Sequence, residues 1–177
     1  MSHTSRKILA ISGSLRTNSS THFIIEAVRK YIPNTFTVIR YNGLASLPQF
    51  NDADEPNDSV KDLRRQLAEA DGVIICSPEY AFGVPGALKN ALDWTVSSGE
   101  FVDKPVAVIT AATSGEHAHA SLLLTLSALS ANIAEDAKVL IPFVRAKLDA
   151  NGHVKDADTR QALESAGKAF INSIQNI

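Results

Sequence analysis

The chain has 177 residues, and 17 Lys and Arg against 19 Asp and Glu leave a formal net charge of −2. With 45% apolar and 20% charged residues it has an ordinary globular make-up, and its length suits one domain spanning 1–177. One cysteine, Cys76, excludes an internal disulfide and a zinc site of several thiolates, while the near-neutral balance argues against a nucleic-acid binder and against an acidic electron carrier that docks by charge alone.

The first apolar run, 8–11, is continuous and rich in β-branched residues, the pattern of a strand buried on both faces of a parallel sheet. It is too short for the apolar region of a signal peptide. A helix follows over 22–31, with Phe23, Ile24, Ala27, Val28 and Tyr31 on one stripe, and ends before Pro33. Strand 36–39 is more polar, as an edge strand tends to be. The long irregular segment 43–57 reads as a surface loop over a site rather than a domain boundary. Helix 59–70 opens with Ser59 as N-cap and Asp62 three residues on, a start like a capping box. Strand 73–76, helix 85–96 and strand 106–109 come next.

The helix over 118–131 carries Leu122, Leu123, Leu124, Leu126 and Leu129, which cover more than one face. A helix apolar on most sides must be buried on most sides, so an oligomer interface is expected, in a homodimer or homotetramer. The surrounding stretch 117–134 holds no Asp, Glu, Lys or Arg. Two His, three Ser, a Thr and an Asn inside it make a membrane span unexpected, although a span needs only about 20 residues. The chain reads as cytoplasmic. Strand 139–141 and a helix over 158–174 complete a regular alternation. That alternation predicts an α/β fold, a doubly wound five-stranded parallel sheet with helices on both faces.

Such sheets bind ligands at the carboxyl ends of their strands, which selects three loops. The first, 12–21, holds Ser12, Ser14, Arg16, Thr17, Ser19, Ser20 and Thr21 and leads straight into a helix. Helix N-terminal amides, hydroxyls and a guanidinium suit a phosphate. A Ser/Thr-rich turn and N-cap with no ligand accounts for the composition equally well, and local sequence leaves both readings open. The loop lacks the Gly-Lys-Ser/Thr end of a nucleotide triphosphate loop and is not G-x-G-x-x-G. The second loop, 77–85, sets Tyr80 and Phe82 among two Pro and one Gly, a rigid backbone able to present its amides to a planar ring. In the third, 111–117, Glu116 precedes His117 and His119. Two His lack the third ligand of a metal site, so no metal is expected there.

Together, Ser12-Gly13-Ser14-Leu15-Arg16 followed by Ser19, and Ser77-Pro78-Glu79-Tyr80 followed by Pro85-Gly86-Ala87-Leu88-Lys89-Asn90-Ala91-Leu92-Asp93-Trp94, resemble the NADPH-dependent FMN reductase family. The resemblance implies a flavodoxin-like fold and a bound FMN. Ser14, Arg16 and Ser19, with Ser12, Ser20 and Thr21 in the same loop, would hold its phosphate at the first helix. Pro78, Glu79, Tyr80 and Ala81 would line the isoalloxazine, mainly through the main chain, and Ser114 and Gly115 would approach the ring from the other side. Ala81 and Thr21 stand where the family usually has Asn. With flavin carrying the chemistry, no side chain need be catalytic. The implied activity is an NAD(P)H oxidoreductase that passes electrons by a ping-pong route to a small-molecule acceptor: a flavin, quinone, azo compound or metal oxyanion. A flavin-binding or redox-sensing module with little turnover is the alternative. Arg40 and Arg145 are candidate readers of an NADPH 2′-phosphate, with no motif to place them.

Overall fold

The computed structural model describes residues 6–51 and 55–176. Five strands run in chain order: β1 (Arg6–Ser12), β2 (Phe36–Tyr41), β3 (Gly72–Ser77), β4 (Val106–Ala111) and β5 (Lys138–Ile141). Among them lie helices α1 (Ser20–Arg29), α2 (Asp58–Glu69), α3 (Gly86–Asp93), α4 (Glu116–Ala128), α5 (Val144–Lys147) and α6 (Ala157–Gln175). The sheet order is β2-β1-β3-β4-β5, with all four pairings parallel. This is the 2-1-3-4-5 order of flavodoxin-like sheets, and it reverses direction between β1 and β3.

The continuous apolar runs are explained by two cores sharing one sheet. Successive side chains of a strand point to opposite faces, so Ile8 and Ala10 join Ile24, Val28, Phe170 and Ile174 beneath α1 and α6. Leu9 and Ile11 join Leu63, Leu67, Leu88 and Leu122 beneath α2, α3 and α4. Strands β3 and β4 are buried along their whole length, whereas β2 is exposed at Thr37, Ile39 and Arg40, as its polarity predicts for an edge. Each Leu or Ile removed from water contributes about 1.5–3 kcal/mol, which is what clamps the helices to the sheet.

Several helix boundaries differ from those expected from sequence, and one short helix is added. Helix α2 is capped by Asn57, whose side chain accepts from the Val60 amide at 3.1 Å. Ser59 instead donates to the Ser46 carbonyl and to the Asn57 side chain, because Asn57 reaches the free amides one turn earlier. Helix α3 starts at Gly86 and ends at Asp93, leaving Trp94 past its end. Helix α4 ends at Ala128 and buries Ala118, Leu122 and Leu126 on one face, while Leu124 points outward at 73% exposure. The single-turn α5 is an element that periodicity over four residues cannot reveal.

Of the segment 43–57, residues 52–54 lie outside the described residues, and the stretch before them is anchored to α3 and the turn that follows it. Its Pro48 carbonyl accepts from Asn90 Nδ2 at 2.8 Å and from Trp94 Nε1 at 2.9 Å, and the Phe50 amide donates to Asn90 Oδ1 at 2.8 Å. Phe50 sets its ring edge-on to Trp94 at 5.1 Å. Asn90 and Trp94 of the long motif are therefore loop anchors, and Lys89 pairs with Asp93 one turn on at 2.5 Å. No helix among the described residues is long and apolar enough to cross a membrane.

Candidate active site

The three loops chosen by topology meet at the point where strand order reverses. The Gly13 amide donates to the Cys76 carbonyl at 2.8 Å, extending the β1–β3 ladder into the first loop. A Cβ at Gly13 would lie 3.0 Å from Leu88 Cδ2 and 3.3 Å from Ser77 Cα, so any larger residue would push these neighbours aside. Cys76 itself is fully buried, and burial pushes its thiol far above the ordinary range, consistent with a packing role.

Within the first loop the hydroxyls divide into two groups. Ser12 Oγ and Thr21 Oγ1 are 2.8 Å apart, and Thr21 Oγ1 donates to Ser19 Oγ at 2.8 Å. Ser12 and Thr21 are buried, so they brace the loop from beneath. Ser19 also caps α1, accepting from the Thr21 amide at 3.4 Å. Ser14 Oγ accepts from the Arg16 amide at 3.2 Å and lies 3.3 Å from the Tyr80 hydroxyl, which ties the first loop to the second. His22 Nε2 donates to the Arg16 carbonyl at 3.1 Å, and its Nδ1 meets Arg40. Burial and the Arg40 charge hold its pKa below the usual histidine value. A neutral ring accepting from Arg40 at Nδ1 and donating to the Arg16 carbonyl at Nε2 satisfies both contacts.

The second loop closes as a tight turn. Tyr80 and Gly83 exchange both backbone hydrogen bonds at 3.0–3.1 Å, with Ala81 at φ 49° and Phe82 at φ 59°. Both central residues have positive φ, the signature of a type I′ turn that favours Asn-Gly. The Phe82 ring is 73% exposed and sits edge-on to His117 at 5.2 Å.

Glu79 connects the second loop to the third. Its carboxylate accepts from the Gly115 amide at 3.1 Å and the Ala118 amide at 3.0 Å, capping α4 from outside the helix. These amides, chiefly that of Ala118, hold its pKa below the ordinary glutamate value. Gly115 takes φ 97°, and a Cβ there would strike Leu140 Cδ1 at 2.8 Å, so the left-handed turn demands glycine. Its amide is spent on Glu79. His119 faces away from His117: its Nδ1 lies 2.9 Å from Thr110 Oγ1, and burial lowers its pKa.

A cavity of about 710 Å³ opens among these loops. Of the residues selected from sequence, Arg16, Ser19, Ser20, Pro78, Glu79 and Tyr80 line it, whereas Ser12, Ser14, Thr21, Ala81, Ser114 and Gly115 do not. Its other walls include Phe23, Ala111–Thr113 and a segment after β5 with Phe143, Arg145 and Asp149, of which the sequence singles out Arg145 alone. That segment ends in a small hairpin, with Leu148 bridged to Val154 and Asp149 N–H donating to the His153 carbonyl at 2.9 Å. Asn151-Gly152 at its tip is a turn signal legible in the sequence. Arg40 lines a separate cleft of about 290 Å³ on the other side of the first loop, with His22.

The donors fit FMN. A phosphate would meet the N-terminus of the ten-residue α1, the Ser19 and Ser20 hydroxyls, and an Arg16 guanidinium that has no side-chain partner among the described residues. The cavity volume is within the range usual for cofactor sites. Known proteins resemble the chain over nearly its whole length. The chain is 29% identical to the quinone reductase of Escherichia coli K12, over 97% of this chain and 96% of that protein. It is 30% identical to the NADH-dependent flavin reductase subunit 2 of Lactobacillus johnsonii, over 96% of this chain and 97% of that protein. The flavoenzyme NAD(P)H:(acceptor) oxidoreductase FerB from Paracoccus denitrificans superposes with a TM-score of 0.83 and 27% identity, covering 97% of this chain and 98% of that one. The profile of NADPH-dependent FMN reductases matches residues 6–146, and the chain belongs to that family.

Proposed function

We propose that the chain, acting as one FMN-binding unit over 1–177, is an NAD(P)H oxidoreductase that passes electrons to a small-molecule acceptor. Flavins, quinones, azo compounds and metal oxyanions are the acceptor classes. The observation that carries this reading is the continuity of one cavity from the unpaired Arg16 and the hydroxyls of Ser19 and Ser20 to the rigid turn at Pro78–Tyr80. Bound FMN supplies the two-electron chemistry, accepting hydride from the nicotinamide and passing the electrons on to the acceptor. The protein binds and orients. Arg16, Ser19, Ser20 and the α1 amides hold the phosphate, and Ser12, Ser14 and Thr21 keep that loop in shape. The main chain of Pro78, Glu79 and Tyr80 would flank the ring, while Ala81, Ser114 and Gly115, which lie outside the cavity lining, belong to the turns beside it. Because donor and acceptor would both reach the ring through this one cavity, they alternate there, which gives ping-pong kinetics.

The reading includes a homodimer or homotetramer in the cytoplasm. The exposed face of α4 formed by Ala120, Ser121, Leu124, Ser127 and Ala128, which carries no charged side chain, supports association, and sedimentation of a strict monomer at micromolar concentration would remove it. The decisive experiment is the absorption spectrum of the purified protein, followed by anaerobic addition of NADPH and of NADH. A flavin spectrum bleached by either nicotinamide is expected. A colourless protein that takes up no FMN overturns the assignment. A flavin that resists both nicotinamides, with no quinone turnover, favours a flavin-binding or redox-sensing module. Arg16→Ala weakens FMN retention while the residual bound flavin keeps its spectrum.

A further inference from the structure

Two arginines line the 710 Å³ cavity, Arg16 and Arg145, and neither guanidinium has a hydrogen-bond or ion-pair partner among the described residues. The two carboxylates in the same wall are already engaged. Glu79 is bound by the Gly115 and Ala118 amides, and Asp149 by the Asn151 amide at 2.9 Å and the His153 amide at 2.8 Å. On the reading above the FMN phosphate takes Arg16, which leaves Arg145 as the other arginine of the cavity. Beside it stands Phe143, 66% exposed, with φ 52° and ψ 36°. That left-handed conformation is costly for an aromatic residue. It is imposed by two bonds that continue the sheet edge, Phe143 N–H to the Thr113 carbonyl at 3.0 Å and Val144 N–H to the Ala112 carbonyl at 3.1 Å. The backbone thus fixes an aromatic ring and a guanidinium two residues apart, directly against the loop that flanks the flavin.

We propose that Phe143 and Arg145 form the acceptor-reading wall of the cavity, selecting planar aromatic acceptors that carry an anionic substituent such as a carboxylate or sulfonate. Phe143 stacks on the ring, which is charge-blind, and Arg145 forks onto the acid, which is not. The inference rests on the reductase reading above and deepens it by naming the class of acceptor.

The test compares 1,4-naphthoquinone-2-sulfonate with the neutral 2-methyl-1,4-naphthoquinone, using holoprotein and NADH. Arg145→Gln raises the ratio of their KM values (sulfonated over neutral) by about tenfold, equivalent to about 1.4 kcal/mol. The Kd of the sulfonated quinone for oxidised holoprotein, titrated without any nicotinamide, rises by the same factor, and Arg145→Lys recovers part of it. Phe143→Leu weakens both quinones alike. An equal effect of Arg145→Gln on the two quinones overturns the proposal. So does about tenfold weaker FMN binding, which would assign Arg145 to the cofactor phosphate. A KM that rises for NADPH and not for NADH, with the quinone ratio unmoved, also overturns it and assigns Arg145 to the 2′-phosphate. Wild-type holoprotein whose flavin neither NADPH nor NADH bleaches refutes the reductase reading itself, and the titration then still judges the wall.

Discussion

Glu79→Gln separates the charge of the Glu79 bridge from its shape. The carboxylate accepts two amide hydrogens, from Gly115 at 3.1 Å and Ala118 at 3.0 Å, at the positive end of α4. The amide of Gln is nearly the same size, but its single oxygen can serve only one of those donors, and its NH2 then faces the other. Hydrogen bonds to an ionised group contribute about 1.5–3 kcal/mol when buried. Glu79 is only partly buried, so water replaces much of the loss, and a destabilisation of about 1–2 kcal/mol is expected. For a protein of this size that lowers Tm by roughly 2–8 °C. The pH dependence has a definite sign. The folded-state pKa of Glu79 lies below its ordinary value of 4.5. The stabilisation is therefore fully present above about pH 4.5 and is lost as pH falls through the depressed folded value. Asp62, Glu69, Asp149 and Asp156 are also held low, but both proteins share them and they cancel in the comparison. Urea unfolding of wild type and Glu79→Gln at equal FMN occupancy, at pH 7 and near pH 3, checks this. The difference should be largest at pH 7 and nearly vanish at the acid end. A variant as stable as wild type at pH 7, or a difference that does not shrink with acid, would refute the capping argument.

Three further outcomes follow from local geometry. Replacing Ala81→Asn together with Phe82→Gly gives the turn residues its positive φ angles favour, and should stabilise by about 1 kcal/mol net of the lost His117 contact; a lower denaturation midpoint in urea would count against the strain. The Tyr41 hydroxyl is buried without a partner among the described residues, and burial pushes its pKa up to about 12. Tyr41→Phe should be neutral or stabilising by up to about 1 kcal/mol, and a loss beyond that would reveal a bond to the hydroxyl. Gly13→Ala drives a methyl against Leu88 and the Ser77 backbone, and should cost about 1–3 kcal/mol and loosen FMN; calorimetry and flavin release during dialysis report both.

All five strands and five of the six helices were legible in the sequence, because each announces itself by local chemistry. Continuous runs such as 73–76 mark strands buried on both faces, and the stripes through Leu63 and Leu67 or Leu163 and Phe170 mark helices lying on them. The first and second loops were legible as well, since their hydroxyls, Arg16, prolines and glycines are contiguous. What each residue does within them was not. Ser12 and Thr21 carry the same hydroxyl groups as Ser19 and Ser20, yet they face the loop interior, and only the packing of α1 on β1 makes that division. Nor does composition show that Glu79 caps a helix 36 residues further on, or that Asn90 and Trp94 hold Pro48. The wall bearing Phe143, Arg145 and Asp149 shows the same limit. Its segment is too short for periodicity, and its only local mark is the Asn151-Gly152 turn. Sequence by itself determined the elements, their alternation and the family, since those depend on neighbours a few residues apart. Tertiary structure alone decided which side chains share the cavity and which charges are left unpaired there, because both depend on groups brought together across strands.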